Sequence, residues 1–222
     1  MPKVFTKKVT WDEVEAWVTS VSNKIYASGW QPDMIVAISR GGYVPARLVC
    51  DRLIVGDLTS LQLSHWPSAA QMSSNGVVVK YPIQCDLNHM KVLLMDDISD
   101  TGESIIVAKD FIWTKCRPDE IRVAALQWIS GSSKIKPDYY AEDVKKWCWY
   151  QYPWTRLEDV IGFIRRILSE EKETKDWTLE EIAGKFDEWF GVTYDKWFYE
   201  KALEFLLRNE TLAKGKKGYT LK

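Results

Sequence analysis

The sequence has few of the residues that build metal sites and disulfide frameworks. Four cysteines and two histidines occur in 222 residues, and no two cysteines form a Cys-x-x-Cys pair. This spacing excludes a zinc ribbon, and a disulfide scaffold is typical of much smaller secreted domains. We therefore expect an intracellular, cytoplasmic protein that is stabilised by a hydrophobic core.

The sequence also lacks an excess of charge of either sign, and it lacks long apolar runs. The formal net charge is −1, whereas proteins that bind nucleic acid normally carry a basic surface. No apolar run approaches the roughly 20 residues that cross a bilayer, and the N-terminus has no apolar signal region. We expect a soluble protein that has neither a membrane nor a nucleic acid as a partner.

What is present is an alternation of helical patterns with short apolar runs. These runs lack alternating polar residues, which is typical of parallel strands buried on both faces. The alternation predicts an α/β fold, a doubly wound parallel sheet with helices on both faces. The candidate strands are 34–39, 91–95 and 121–128, and the candidate helices are 11–27, 44–53 and 103–115.

A less regular segment separates the first two of these strands. Residues 58–63 and 77–81 are weaker strand candidates, and residues 64–76 between them are rich in Ser, Ala, Asn and Pro. We interpret 64–76 as an excursion of the chain over one face of the domain, and as a candidate lid that excludes water.

The pattern changes after about residue 155. An amphipathic helix begins at Arg156, a charged linker follows at 170–176, and residues 178–181 form a capping-box pattern. We predict one domain over 1–155 and a small, mainly helical unit over 156–222.

The small unit has two interpretations. It is either a three-helix unit that packs on or covers the first domain, or a winged-helix module whose wing is the Lys- and Gly-rich turn at 214–218. Residues 156–222 hold 13 Lys and Arg and 14 Asp and Glu. Since modules that bind DNA phosphates carry a basic face, this balance favours the packing role.

Chemically useful residues follow the second predicted strand. Asp96 and Asp97 come directly after its apolar residues, and the segment 100–104 reads Asp-Thr-Gly-Glu-Ser at the start of a helix. Ligands of parallel sheets bind beyond the carboxyl ends of the strands. Two adjacent carboxylates favour a cation or sugar hydroxyls, and small hydroxyl residues at a helix start favour an anion. The order fits a phosphorylated ribose.

The segment 92–104 resembles the motif with which type I phosphoribosyltransferases bind PRPP (5-phosphoribosyl-1-pyrophosphate). The resemblance implies that Asp96 and Asp97 hold the ribose hydroxyls, that 100–104 holds the 5-phosphate, and that Asp97 binds Mg²⁺. It gives Asp100 the catalytic role of proton acceptor for a purine ring nitrogen. The implied PRPP site comprises Asp96, Asp97, Ser99, Asp100, Thr101, Gly102, Glu103 and Ser104.

A second segment supports this resemblance. Ser39-Arg40-Gly41-Gly42 follows the first predicted strand and is similar to the pyrophosphate loop of the purine branch of that family. Glycine lets the backbone approach an anion closely, and the planar guanidinium of Arg40 offers two parallel donors to a diphosphate. The resemblance implies that Arg40 stabilises the charge that grows on pyrophosphate.

A third segment, 136–154, resembles the nucleobase-binding region of 6-oxopurine phosphoribosyltransferases. The resemblance implies that Trp149 stacks on the base and that Tyr150 contacts its edge through the backbone, with Trp147 as the alternative stacking residue. Ile98 and Ile129 complete the implied base site. The resemblance argues against a pyrimidine as the acceptor.

The identity of the base rests on a departure from the family. The 6-oxopurine enzymes carry a lysine after the third strand, which donates to the oxygen O6, whereas residues 127–131 read Gln-Trp-Ile-Ser-Gly. Adenine has an amino group at that position and prefers an acceptor, and a mispaired polar group is enough to set specificity. We predict adenine as the base and AMP as the product.

Two alternatives stay open. If Lys134 or Lys136 reaches the base, a 6-oxopurine such as hypoxanthine, guanine or xanthine is the substrate. A regulator that senses PRPP and binds DNA through its C-terminal unit is the other. Members of the family are commonly oligomers, so we expect a homodimer.

Overall fold

The computed structural model of the protein describes residues 3–65, 76–171 and 176–222. The elements follow the predicted alternation of strands and helices as far as the third buried strand. In chain order they are β1 (Thr6–Lys8), α1 (Trp11–Ala27), β2 (Met34–Ser39), α2 (Tyr43–Leu53), β3 (Asp57–His65), β4 (Val77–Tyr81), β5 (Lys91–Ser99), α3 (Glu103–Cys116), β6 (Glu120–Ile129), β7 (Tyr139–Val144), β8 (Trp149–Gln151), α4 (Arg156–Glu170), α5 (Leu179–Phe190), α6 (Lys196–Arg208), β9 (Leu212–Lys214) and β10 (Tyr219–Leu221).

The chain divides into two compact units. One comprises residues 11–147, and the other comprises residues 1–10 together with 148–222. This division differs from the boundary predicted at residue 155. The reason is that β8 pairs in parallel with β1, so both ends of the chain belong to the same unit.

The larger unit is built on a six-stranded sheet in the order β4-β3-β2-β5-β6-β7. β4 runs antiparallel to β3, and the other neighbours are parallel. The predicted doubly wound sheet is confirmed. β7 was not predicted as a strand, because its sequence Tyr-Tyr-Ala-Glu-Asp-Val lacks the continuous apolar run of the other parallel strands.

Helices cover both faces of this sheet. α3 packs through Ile105, Ala108 and Ile112 against a cluster that includes Val36 and Leu94. α1 and α2 contact each other, and α2 contacts β2 and β5. Because successive strand residues point to opposite faces, the neighbours of the clustered strand residues are buried on the side of α1 and α2.

The strand β5 is longer than predicted. It continues past Met95 to Ser99, and Asp96 and Ser99 are paired with Ala125 and Trp128 of β6. The two acids therefore belong to the last part of the strand and do not follow it. Their backbone is held by the sheet, which fixes where their carboxylates lie.

Three helices and a hairpin form the C-terminal part of the smaller unit. The capping box at the start of α5 is confirmed, since Glu181 N donates to Thr178 Oγ1 at 3.2 Å and Thr178 N donates to Glu181 Oε2 at 2.9 Å. β9 and β10 pair antiparallel, and Trp177 bridges Tyr219. This order of elements is that of a winged helix, with the 214–218 turn in the position of the wing.

Aromatic rings fill the core of this unit. The rings of Phe163 and Phe190 stack with their centroids 3.8 Å apart, and Phe186 lies against both. Trp189 is fully buried beside them. The abundance of tryptophan and phenylalanine in this stretch therefore serves packing.

Most of the lid predicted over 64–76 lies outside the described residues. Within the described parts of the chain, no helix is both long and apolar enough to cross a membrane.

Candidate active site

Three parallel strands end at one edge of the larger unit. The register pairs Ala37 of β2 with Met95 of β5, and Asp96 of β5 with Ala125 of β6. The segments that follow these strands therefore emerge together, as expected for ligand sites in parallel sheets. They are 40–42, 100–104 and 130–135.

The structure brings the first two sequence motifs into contact. A Cβ atom on Gly41 would lie 2.5 Å from Asp97 Oδ2 and 2.6 Å from Asp97 Oδ1. A Cβ atom on Gly42 would overlap the carbonyl oxygen of Met95, and Gly42 N donates to Ile38 O at 2.8 Å. Both glycines are therefore required for the loop to lie against β5. The Ser39–Arg40 peptide bond is cis.

The two adjacent acids are buried. Asp96 is 9% exposed and Asp97 is 8% exposed. Asp97 N donates to Asp96 Oδ1, and Ile98 N donates to Asp97 Oδ1, both at 2.9 Å. Burial raises the pKa of Asp96 well above its ordinary value, and the neighbouring charge of Asp97 raises it further. A ligand that offers positive charge or hydroxyl donors would relieve this cost.

The 100–104 loop leads into α3 through a glycine. Gly102 has φ 78°, a left-handed conformation, and a Cβ atom there would lie 2.7 Å from Ile135 Cγ2 and 2.8 Å from Ser133 Oγ. The first N–H groups of α3 have no partners within the helix and are suited to an anion. A cavity of 180 Å³ is lined by Asp96, Ile98, Asp100, Thr101, Gly102, Ser104 and Ile105.

A larger depression, of 490 Å³, lies elsewhere in the same unit. It is formed by the C-terminal half of α2 and the start of β3, and its lining includes none of the motif residues. Size alone therefore does not identify the functional site of this protein. The smaller cavity is the candidate because the buried acid Asp96 and the start of α3 both line it.

A segment that sequence reasoning missed lies along the loop. Ser132 Oγ is 3.0 Å from both the backbone oxygen and Oδ1 of Asp100. Ser133 Oγ lies 2.8 Å from Ser99 Oγ. The available signal was the run Ser130-Gly131-Ser132-Ser133, which directly follows a buried parallel strand.

The next residue of this segment continues the contact. Lys134 N donates to Thr101 O at 2.9 Å, and Lys134 Nζ pairs with Glu103 Oε1 at 2.7 Å. The side chain of Glu103, the first residue of α3, therefore forms an ion pair with Lys134. Residues 132–135 contact the loop from Asp100 to Glu103.

The aromatic residues predicted near the base fall in different units. Trp147 belongs to the larger unit, is 50% exposed, and donates from Nε1 to Asp100 Oδ2 at 3.3 Å. Trp149 and Tyr150 belong to β8 of the smaller unit. Trp149 donates from Nε1 to Asp159 Oδ1 at 3.0 Å, and its ring packs edge-on against Phe163.

The other predicted residues differ in exposure. Ile98 lines the cavity, whereas Ile129 is only 2% exposed at the end of β6. Ser39 is buried, and Arg40 is exposed at the start of its loop.

Comparison with known proteins agrees with this geometry. The family model described as the phosphoribosyl transferase domain matches residues 10–154. A xanthine-guanine phosphoribosyltransferase of Chromohalobacter salexigens is 27% identical over 146 residues, which are 66% of this chain and 82% of that protein.

Solved structures show the same fold. A purine phosphoribosyltransferase from Pyrococcus horikoshii matches with a TM-score of 0.58 at 27% identity, covering 67% of this chain and 93% of that one. A xanthine-guanine-hypoxanthine phosphoribosyltransferase of Helicobacter pylori matches with a TM-score of 0.58 at 18% identity, covering 71% and 99%, and shows the fold alone. Since the family model spans most of the chain, the protein belongs to the phosphoribosyltransferase family, as a type I enzyme and a glycosyltransferase on the branch of these purine-specific relatives.

Proposed function

We propose that the protein is a purine phosphoribosyltransferase of nucleotide salvage, which transfers the 5-phosphoribosyl group of PRPP to a purine base and releases pyrophosphate. One observation carries this proposal: Asp96 and residues of the 100–104 loop line one cavity, while Gly41 of the neighbouring motif packs on Asp97, the next residue of the strand. This supports a site in which a ribose, its phosphate and its pyrophosphate bind side by side.

Each group of the site has a proposed task. The N–H groups at the start of α3 bind the 5-phosphate, and Asp96 and Asp97 accept hydrogen bonds from the ribose hydroxyls. As the bond from C1 to the pyrophosphate oxygen loosens, the sugar gains oxocarbenium character. Arg40 then stabilises the charge on the leaving group, and Asp100 accepts the proton of the attacking base.

Mg²⁺ fits the donor set of this site. Among the described residues there is no group of three or more side chains suited to hold a metal. Mg²⁺ usually keeps several waters and is bound by one or two carboxylates together with substrate phosphates. We propose that Asp97 holds Mg²⁺ that arrives with PRPP, where the ion neutralises negative charge.

The base is proposed to be a 6-oxopurine. The support is the relationship to the xanthine-guanine enzyme of C. salexigens, and this assignment replaces adenine as the first choice. From the family resemblance we propose that Trp149 stacks on the base and that Tyr150 and Ile98 also contact it.

Adenine remains the second candidate because of one structural observation. Lys134 pairs with Glu103 at 2.7 Å, and Lys136 Nζ lies 5.4 Å and 5.7 Å from the ring centroids of Trp128 and Tyr140. Both lysines that sequence reasoning considered as donors to the oxygen O6 are therefore engaged elsewhere. This supports a base that needs no ammonium donor.

A parallel assay decides between the bases. PRPP is incubated with adenine, hypoxanthine, guanine or xanthine, and nucleotide and pyrophosphate are quantified. We expect nucleotide from the 6-oxopurines. Product from adenine alone would restore the second candidate, and no product from any base, combined with PRPP binding, would favour the regulator.

Light scattering tests the homodimer that we propose from the family.

A further inference from the structure

The catalytic carboxylate proposed above is held by side chains from two other segments. We propose that Ser132 and Trp147 are positioning residues that fix the Asp100 carboxylate for proton transfer. This inference rests on the proposed function, in which Asp100 accepts the proton of the base.

Each oxygen of the carboxylate has its own donor. Ser132 Oγ lies 3.0 Å from Asp100 Oδ1, and Trp147 Nε1 lies 3.3 Å from Asp100 Oδ2. An indole N–H only donates, so the direction of the second hydrogen bond is fixed by chemistry. The serine hydroxyl shares its one proton between Oδ1 and the backbone oxygen of Asp100.

The serine is presented from a backbone that is itself fixed. Ser132 N donates to Ile129 O at 3.1 Å, and Ser133 N donates to the same oxygen at 2.9 Å. Two residues later, Lys134 N donates to Thr101 O. The segment is thus tied to the end of β6 and to the loop it supports, so that Ser132 acts as a rigid donor.

These contacts restrict the two torsions of the Asp100 side chain. A carboxylate at the exposed end of a sheet otherwise samples several rotamers, and a misplacement of about 1 Å at a reacting group can cost ~100-fold in rate. Trp147 is half exposed, and hydrogen bonds of catalytic groups often tighten when substrate binds. Losing either donor should therefore lower turnover and leave PRPP binding intact.

The decisive variants remove the donors and keep the shapes. Trp147→Phe keeps an aromatic ring but lacks the N–H, and Ser132→Ala lacks the hydroxyl. For each, we expect kcat to fall about tenfold, the size of one hydrogen bond to a charged group, with KM for PRPP and for the base unchanged. Ser132→Thr restores a hydroxyl and should recover most of kcat. The matched control is Trp113→Phe, at a tryptophan that is 54% exposed on α3.

The same donor variants made in an Asp100→Ala chain separate this inference from the proposed function. In an Asp100→Ala chain, Trp147→Phe and Ser132→Ala should have no further effect on kcat, because the group that they position is gone. If Asp100→Ala alone leaves kcat unchanged, the proposed role of Asp100 fails. If Asp100→Ala is slow but both donor variants turn over at the wild-type rate, the positioning inference is overturned while the function stands. A higher KM for the base in Trp147→Phe also overturns it, since Trp147 then acts on the base. Thermal melting of every variant verifies that it is folded.

Discussion

Two aspartates in different units show how the surroundings of the same side chain shift its pKa in opposite directions. Asp96 is buried next to a second carboxylate, and its pKa is raised by burial and by Asp97. Asp176, at the base of the wing, accepts hydrogen bonds from Thr220 Oγ1 at 2.6 Å and Lys217 N at 3.1 Å. These two hydrogen bonds, Thr220 first, lower the pKa of Asp176.

The difference lies in what surrounds the two carboxylates. The donors around Asp176 satisfy its charge without a ligand, so this carboxylate stabilises a turn. Asp96 and Asp97 lie buried side by side and accept backbone N–H groups of their own strand, and a cation or ligand hydroxyls would offset the repulsion between the two carboxylates. Because strongly shifted pKa values cluster at functional sites, we propose the acid pair as part of the binding site.

The largest expected effect is on the proposed proton acceptor. Asp100→Asn keeps the shape of the side chain but removes its basicity, and general base catalysis contributes about 10²–10⁴-fold. We expect kcat to fall by that range while calorimetry finds PRPP binding little changed. Unchanged turnover would remove Asp100 from the mechanism.

The contact between the two motifs is tested by adding one methyl group. Gly41→Ala places a Cβ within 2.5 Å of the Asp97 carboxylate, so the loop or the acid must move. We expect kcat/KM for PRPP to fall about 100-fold, as for a displaced reacting group. Gly131→Ala is the matched control, because nothing lies within 4 Å of its added Cβ. Equal activity of the two variants would contradict the close approach.

The raised pKa of Asp96 predicts that removing its charge stabilises the folded protein. Because the pKa of Asp96 is raised in the folded state, the folded chain binds more protons than the unfolded chain above the ordinary pKa of about 3.9, and stability falls as pH rises from there. Asp96→Asn should therefore raise Tm at pH 7, by about 2–4 °C for each kcal/mol recovered. The gain should shrink as the pH is lowered toward 4, and a lower Tm at pH 7 would contradict it.

For Asp176 we predict the opposite dependence of stability on pH. The folded-state pKa of Asp176 is lowered, so its contribution to stability is present above the ordinary pKa and is lost as pH falls through the folded-state pKa. Asp176→Asn should lower Tm at pH 7, and the loss should disappear in acid. Thermal melts of the Asp96 and Asp176 variants across pH therefore give curves of opposite slope.

The smallest effect is expected with DNA. The smaller unit has the order of elements of a winged helix, but lysines of α6 are paired with acids of the same helix. Lys196 pairs with Glu200 at 3.4 Å, and Lys201 pairs with Glu204 at 2.7 Å. We expect no shift of duplex DNA in a native gel at 50–200 mM salt, a range over which phosphate contacts change affinity strongly, with or without PRPP. A shift that depends on PRPP would favour the alternative function, a regulator that senses PRPP and binds DNA.

The sequence by itself determined the fold class, the three central buried strands and the capping box at the start of α5, whereas β1, β7 and β8 were not predicted. The buried strands, the capping box and the two glycine-containing motifs each depend on residues close together in the chain, so local patterns predict them. The fold class was confirmed for the same reason, since alternating strands and helices permit few arrangements.

Tertiary structure decided the rest. Ser132 and Asp100 are 32 residues apart, and Gly41 meets Asp97 only because β2 and β5 are neighbours in the sheet. Likewise, the pairing of β1 with β8 assigns both chain ends to one unit. Contacts between distant segments depend on strand order and register, and a single sequence carries no local pattern for either.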